Sequence, residues 1–156
     1  MGKAQLIDGK KFADKILLSI KKQVAKLETK PGLAAILVGD DPSSKLYLKL
    51  KKETCEKVGI DFFSYILDKD CSEEKILEVI NFLNNDPEIN GIILQLPLPE
   101  KFNQDKLIKA IKPAKDVDGF HPVNVGKLVA GRPNLVACTP AGVMEIFRRS
   151  EIALEG

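Results

Sequence analysis

Hydrophobic residues recur at two alternating spacings along this chain. Between Gly9 and Leu27 they follow the three- and four-residue spacing of one helix face, at Phe12, Ile16, Leu17, Ile20, Val24 and Leu27. The next run, Leu33 to Val38, is short and wholly apolar, and turn-forming glycine and proline residues bound it. Such a run predicts a strand that is buried on both faces. The chain therefore begins as a helix followed by a buried strand.

The same alternation continues through the rest of the chain. The predicted elements are helices over 43–58, 72–83 and 105–111, strands over 61–67 and 91–96, and a loop over 113–122. Gly59 marks a helix end, Ser72 marks a helix start, and Thr139-Pro140 opens a last helix with Thr139 as its cap. Strands that alternate with helices form parallel sheets covered on both faces. The predicted class is α/β, a three-layer α-β-α domain with a mainly parallel sheet.

The composition is that of a globular domain rather than a disordered or membrane-embedded chain. Of the 156 residues, 44% are hydrophobic and 29% are charged. The 24 basic and 22 acidic residues leave a net charge of +2, so nothing favours a nucleic-acid partner. No run approaches the roughly 18 apolar residues of a membrane helix, and no signal peptide precedes the first helix. We therefore expect neither a nucleic-acid partner nor a membrane.

The cysteines and the histidine do not have the spacing of a metal site or a disulfide framework. Cys55, Cys71 and Cys138 are odd in number and far apart in the sequence, and His121 is the only histidine. Free thiols fit a reducing compartment. We therefore expect a cytoplasmic protein that binds no metal, with His121 in a structural or incidental position.

Lys51 is the lysine of the predicted 43–58 helix that falls away from its polar face. On a helical projection it lies on an arc shared with Leu46, Tyr47, Leu48, Leu50, Thr54, Cys55 and Val58. A lysine on an apolar face loses hydration, which favours the neutral amine and suits acid/base chemistry. Spacing alone favours the simpler alternative, in which Lys51 extends to the rim of the core. By the same reasoning, Tyr47 is a core residue and Ser44 a helix-start residue.

Two further polar positions follow predicted strands or loops. Gln95 lies at the carboxyl end of a buried strand, where ligands of open α/β sheets bind, although a hydrogen-bonded core glutamine fits the pattern equally well. Asp116 and Asp118 bracket Val117, and Gly119 permits a tight turn after them. A loop carboxylate can accept hydrogen bonds from the N–H groups of a ligand. A surface turn without a ligand is the alternative, and the two aspartates alone favour it.

Taken in order, these segments resemble one enzyme family. The matching segments are Val38-Gly-Asp-Asp-Pro-Ser-Ser44, Tyr47-x-x-x-Lys51, Gly91-Ile-Ile-Leu-Gln-Leu-Pro-Leu-Pro99, Lys115-Asp-Val-Asp-Gly-Phe-His-Pro122, Asn124-x-Gly126 and Cys138-Thr-Pro-Ala-Gly-Val143. The chain from Leu6 onward is similar to the methylenetetrahydrofolate dehydrogenase/cyclohydrolase family. The glutamine-leucine-proline and aspartate-valine-aspartate-glycine segments carry most of this specificity.

The resemblance implies an activity in one-carbon metabolism and purine biosynthesis. The family oxidises 5,10-methylenetetrahydrofolate to the 5,10-methenyl form, normally with NADP, and hydrolyses that product to 10-formyltetrahydrofolate. It implies that Lys51 is the acid/base residue of the hydrolysis, that Tyr47 stacks on the folate and orients Lys51, and that Gln95 hydrogen-bonds near the lysine amine. Asp118 would anchor the pterin ring, Asp116 would contribute much less, and Ser44 would have a supporting place in the folate site.

The resemblance also implies a domain division. Family members are about twice as long and continue into a Rossmann-like NAD(P)-binding domain, and they are usually dimeric. Residues 1–138 would then be the folate-binding catalytic domain, and residues 139–156 a linker helix and the start of the nucleotide domain. No G-x-G-x-x-G occurs in residues 1–156, so we expect the NADP site to lie mostly in the second domain and no cofactor-binding residue here. A homodimer is expected for the full-length protein.

Two alternative assignments place the chain in other classes of protein. Short-chain dehydrogenases also carry a Tyr-x-x-x-Lys helix, but they place a glycine-rich nucleotide loop before it, and residues 1–46 contain no such loop. A non-catalytic folate-binding or oligomerisation module is the other alternative. Folate binding measured with and without turnover separates such a module from an enzyme.

Overall fold

The computed structural model describes residues 6–154, which form three strands and six helices. In chain order these are α1 Gly9–Val24, β1 Gly32–Val38, α2 Pro42–Val58, β2 Asp61–Leu67, α3 Glu73–Asn85, β3 Gly91–Leu94, α4 Gln104–Ala110, α5 Pro122–Val129 and α6 Cys138–Arg149. The predicted order of helices and strands is therefore confirmed through α4.

Strand β1 lies in the centre of the sheet, and both of its neighbours, β2 and β3, run parallel to it. Beyond β3 a single parallel bridge joins Ile92 to Asp116 and brings the chain after α4 alongside the sheet. Because parallel strands point the same way, the carboxyl ends of β1 and β3 lie side by side at one edge. The parallel sheet of the predicted α/β class is confirmed.

Alternate side chains of β1 enter two hydrophobic cores on opposite faces of the sheet. Ala34 and Ile36 are fully buried in the core that includes residues of α3 and α4. Ala35 and Leu37 belong to the other core, together with Leu48 of α2. The period of two places successive β1 residues on opposite faces, which explains why this strand is apolar throughout. The three-layer arrangement of helix, sheet and helix is confirmed.

Several predicted helix ends differ from the structure by a few residues, and hydrogen bonds explain the differences at α1 and α2. Helix α1 ends at Val24 rather than Leu27, because the following amides donate to carbonyls three residues back: Leu27 N–H donates to the carbonyl of Val24 over 3.0 Å. Helix α2 begins at Pro42 rather than residue 43, because the Asp41 side chain accepts a hydrogen bond from the backbone N–H of Ser44.

The sequence patterns missed helix α5 and misplaced the cap of α6. Helix α5 has Pro122 in its first turn, and His121 caps it by accepting a hydrogen bond from Val123 N–H at Nδ1 over 3.1 Å. Proline in a first turn was the available signal for α5. In α6 the residue at the cap position is Ala137, which has no side-chain cap, so the prediction that Thr139 caps this helix was wrong.

Within residues 6–154, no helix is both long enough and apolar enough to cross a membrane. The same residues hold no group of three or more His, Cys, Asp or Glu side chains placed to bind a metal ion. Cys55, Cys71 and Cys138 are free thiols.

Candidate functional site

Lys51 and Gln95 meet at the carboxyl edge of the sheet. Gln95 follows β3 directly, and its backbone N–H still donates to the carbonyl of Ile36 in β1 over 2.9 Å. The strand ends at Leu94, two residues earlier than predicted, and Pro97, which has no N–H to donate to a ladder, follows closely. The carboxyl edge of such a sheet is where ligands of open α/β folds bind.

The central contact is a hydrogen bond from Lys51 Nζ to Gln95 Oε1, over 2.8 Å. The amide of Gln95 is nearly buried, at 9% exposure, and its Nε2 donates to the carbonyl of Leu96 over 2.8 Å. This second bond fixes which end of the amide faces the lysine. Lys51 is half-buried, so one of its N–H donors is held in place while the amine can still reach a ligand. Lys51 therefore lies at the rim of the core, with a fixed partner.

The remaining side chains of α2 are less buried than the helical projection predicted. The buried stripe consists of Ser44, Leu48, Cys55 and Val58, and Lys51 falls in line with it. Tyr47 is 59% exposed, so the core position that spacing alone favoured for it was wrong, and Leu46 and Leu50 of the same apolar arc are exposed as well. Tyr47 precedes Lys51 by four residues, so the two side chains emerge on the same face of α2. An exposed aromatic ring in this position can stack on a flat ligand.

Ser44 lies inside the first turn of α2 rather than at its start. Its side chain is buried, and its backbone N–H donates to Asp41 Oδ2 over 2.7 Å. This bond lowers the pKa of Asp41. The cap role that the sequence pattern offered for Ser44 therefore belongs to Asp41, and Ser44 packs between α2 and the sheet edge.

Asp118 lies in a tight turn that faces Lys51. Gly119 N–H donates to the carbonyl of Asp116 over 3.2 Å, and Gly119 has a φ of 70°, which confirms the predicted turn. Asp118 is half-buried, and this burial raises its pKa, while the charge of Lys51 opposes the rise and that of Asp116 adds to it. Asp118 and Lys51 are therefore near enough for their charges to interact, which makes both part of one candidate site.

Cys138 is a site-lining residue that the sequence reasoning did not single out. Its Sγ lies 3.6 Å from the carbonyl oxygen of Val117. Burial raises the pKa of the Cys138 thiol, the charge of Asp118 adds to this rise, and the charge of Lys51 opposes it. The signal was its place at the start of a matching motif, which by itself does not show where the thiol points.

Asp116 and His121 face away from the ligand side of this turn. The Asp116 side chain is 2% exposed, and its Oδ2 accepts hydrogen bonds from His121 N–H and from Asn124 Nδ2. His121 caps α5, so its predicted structural position agrees with the geometry. Of the two aspartates, Asp118 is the more exposed and the one beside Lys51.

Replacing Gly119 with alanine is expected to lower the free energy of unfolding by about 1–3 kcal/mol. The added Cβ would lie 2.6 Å from backbone atoms of Val136 and Ala137, and the positive φ strains any other residue. Gly126→Ala is the control, because its Cβ meets nothing within 4 Å and it lies in a helix. Urea unfolding of both variants checks this, and equal stabilities would contradict the close approach.

These residues define an α/β protein with a candidate site around Lys51 at the carboxyl edge of its sheet. An exposed aromatic ring on the same helix face, a carboxylate whose charge interacts with the lysine, and a hydrogen-bonded amine would suit a flat ligand with N–H groups at its edge. The sequence profile described as "Tetrahydrofolate dehydrogenase/cyclohydrolase, catalytic domain" matches residues 7–118. The chain belongs to this family.

Relatives and solved structures agree with this assignment. The chain is 46% identical over 156 residues to "Bifunctional protein FolD" of Ruminiclostridium cellulolyticum, covering 98% of this chain and 55% of that protein. The crystal structure of the bifunctional enzyme FolD, a methylenetetrahydrofolate dehydrogenase/cyclohydrolase from Campylobacter jejuni, superposes with a TM-score of 0.95 at 42% identity, covering 97% of this chain and 55% of that one.

A third match comes from a complex with bound molecules. The N5,N10-methylenetetrahydrofolate dehydrogenase-cyclohydrolase of Trypanosoma brucei, solved with NADP cofactor and an inhibitor, superposes with a TM-score of 0.94 at 34% identity. It covers 100% of this chain and 55% of that chain. The chain therefore spans about half the length of the curated relatives it matches.

Proposed function

We propose that the whole protein oxidises 5,10-methylenetetrahydrofolate to the 5,10-methenyl form and hydrolyses this product to 10-formyltetrahydrofolate. The observation that carries the proposal is the hydrogen bond from Lys51 Nζ to Gln95 Oε1, with the exposed Tyr47 one turn earlier on the same helix. The membership in the dehydrogenase/cyclohydrolase family supports it. The folate is the substrate of this site, and residues 1–138 form the catalytic domain that binds it.

The hydrolysis needs a placed water and a group that moves its proton, because the methenyl carbon is already electrophilic. In this proposal water adds to that carbon, and the amine of Lys51 accepts the proton released. The proton then passes to N5 as its bond to the carbon breaks, and the hydroxyl group loses its proton to solvent as the formyl C=O forms. Gln95 holds the amine in place through its Oε1. Tyr47 stacks on the folate, Asp118 accepts hydrogen bonds from the pterin, and Ser44 supports the start of α2.

The dinucleotide cofactor, NADP, is proposed to bind mostly in a second domain that begins within residues 139–156. The strand-to-helix junctions of the described residues do not fit a pyrophosphate. Asp40 and Asp41 precede α2, and Glu73 and Glu74 occupy the first turn of α3. These carboxylates repel an anion at the helix ends where phosphates otherwise bind. We propose no metal for the reaction. We also propose that the whole protein is a homodimer, that it is cytoplasmic, and that its product serves purine biosynthesis.

The direct test supplies the full-length protein with 5,10-methylenetetrahydrofolate and NADP. Absorbance of the methenyl product should rise and then decay as hydrolysis proceeds, and 10-formyltetrahydrofolate should accumulate. Folate binding without either step would instead identify a non-catalytic folate-binding module.

Asp118→Ala is expected to weaken folate binding by about ten- to a hundredfold, because it removes charge-assisted hydrogen bonds. The binding should also depend on pH. Burial raises the pKa of Asp118. The ionised carboxylate accepts charge-assisted hydrogen bonds from the pterin N–H groups, and protonation removes that charge. Affinity should therefore be full above this raised pKa and fall as the pH drops through it.

Titration calorimetry from neutral to acidic pH checks both expectations. Asp118→Asn is the matched variant, because it keeps the shape of the side chain but cannot titrate. The difference between wild type and Asp118→Asn removes the titration of the ligand itself and leaves the contribution of the carboxylate. Equal pH profiles, or an Asp118→Ala affinity equal to wild type, would remove Asp118 from the site.

A further inference from the structure

The turn that carries Asp118 also contains the buried carboxylate of Asp116, which accepts hydrogen bonds from the residues that follow the turn. Asp116 is 2% exposed and Asn124 is fully buried, at 0%. Asp116 Oδ2 accepts from His121 N–H over 2.8 Å and from Asn124 Nδ2 over 2.9 Å. Charge-assisted bonds of this kind are stronger than neutral ones, so the two residues are firmly joined.

Asn124 also ties the beginning of the loop to its end. Its Nδ2 donates to the carbonyl of Pro113 over 2.8 Å as well as to Asp116. It is the one buried residue of α5, and its amide links this helix to Pro113 and Asp116. The side chain of Asn124 thereby joins the two ends of the loop over residues 113–124.

The same loop is fixed to the sheet at Lys115 and Asp116. Ile92 N–H of β3 donates to the carbonyl of Lys115 over 2.7 Å, and Ile92 pairs with Asp116 in a parallel bridge. Lys115 Nζ donates to the carbonyls of Leu83 and Asp86, at the carboxyl end of α3. Asp118 is therefore two residues from a point held by the sheet, by α3 and by α5.

Burying a carboxylate costs free energy, and a well-packed apolar side chain often stabilises a fold as well or better. The fold of this turn could be stabilised by an apolar residue, but such a residue could not hold His121 N–H and Asn124 Nδ2 together. The geometry of the turn, rather than stability, is what the carboxylate specifically provides.

We propose that Asp116 is a positioning residue, which acts with Asn124 to hold the Asp118 carboxylate opposite Lys51 for the folate. This inference rests on the proposed function of Asp118. It revises the expectation that Asp116 matters much less than Asp118 for folate binding. Asp116 touches no ligand, and its whole effect on affinity passes through Asp118.

The test measures the affinity of the full-length protein for folic acid, a non-reacting probe, by titration calorimetry. Asp116→Ala should weaken binding about tenfold or more, and Asp116→Asn, which keeps an acceptor oxygen, should restore most of it. In the Asp118→Ala background, Asp116→Ala should have no further effect, because coupled residues do not add. A purely structural role would lower the melting temperature without this coupling.

Asn84→Ala is the matched control. Asn84 is also a buried asparagine with two backbone partners, the carbonyl of Ala110 and the N–H of Lys112, and its side chain makes no hydrogen bond to Asp116 or Asn124. It should lower the melting temperature and leave the affinity for folic acid unchanged. If Asp116→Ala does not fold, Asn124→Ala takes its place, because it removes one of the two donors to the carboxylate.

Three results would overturn the inference. They are additive losses from Asp116→Ala and Asp118→Ala, wild-type affinity in a folded Asp116→Ala protein, and an equal loss of affinity in Asn84→Ala. A different result, no loss in Asp118→Ala alone, would remove the proposed folate contact itself, and the positioning role with it. The two failures are therefore distinguishable.

Discussion

Lys51→Met in the full-length protein is expected to lose cyclohydrolase activity by about 100- to 10,000-fold while the folate still binds. Methionine keeps the length and apolar stem of the side chain but has no group that can move a proton. It also leaves Gln95 Oε1 without the donor it has in the structure. The rate of loss of methenyl absorbance measures the chemical step, and calorimetry measures folate binding.

Lys52→Met is the control for this prediction, because Lys52 is the next residue of α2 and is exposed. It makes the same chemical change on the solvent side of the helix and should leave the rate unchanged. A Lys51→Met protein that hydrolysed the methenyl substrate at the wild-type rate would show that another group moves the proton.

A polypeptide of residues 1–156 by itself is expected to show no NADP-dependent oxidation of methylenetetrahydrofolate. Hydride transfer needs the two reacting carbons within roughly 3–3.5 Å, and the nicotinamide must be held to reach that distance. The acidic strand-to-helix junctions of the described residues do not provide a phosphate site. Folate binding should be weak, because without the second domain the folate site is open on one side and excludes water poorly.

Methenyl absorbance, followed after mixing this polypeptide with methylenetetrahydrofolate and NADP, checks the expectation. Circular dichroism and folic acid binding establish that the same sample is folded. Turnover near that of the full-length protein would show that a working nucleotide site exists within these residues.

Some errors of the sequence reading came from treating α2 as a helix with one apolar and one polar face. The projection placed Tyr47 and Lys51 on the same arc as Leu48, but only Leu48 is buried. Period alone gives the angle of a side chain about the helix axis. It does not give the width of the surface that packs against that helix, and here the sheet covers a narrower stripe than the apolar residues span.

The distinction between Asp116 and Asp118 could also not be read from their spacing. Both are aspartates next to Val117, and the resemblance alone assigned the ligand contact to the second. The burial of Asp116 depends on Asn124, which belongs to a helix that the patterns did not predict. A short helix held to the domain by one buried amide has little apolar periodicity to detect.

The sequence by itself determined the order of helices and strands through α4, the parallel sheet and the family. These follow from local information, because a run such as Leu33 to Val38 has one way to bury both of its faces. The family resemblance implied that Gln95 hydrogen-bonds near the Lys51 amine, but only the tertiary structure gave the contact itself, from Lys51 Nζ to Gln95 Oε1, 44 residues away, and the burial that separates Asp116 from Asp118. The physical reason is that such contacts depend on where strand ends and loops meet in space, which no local spacing records.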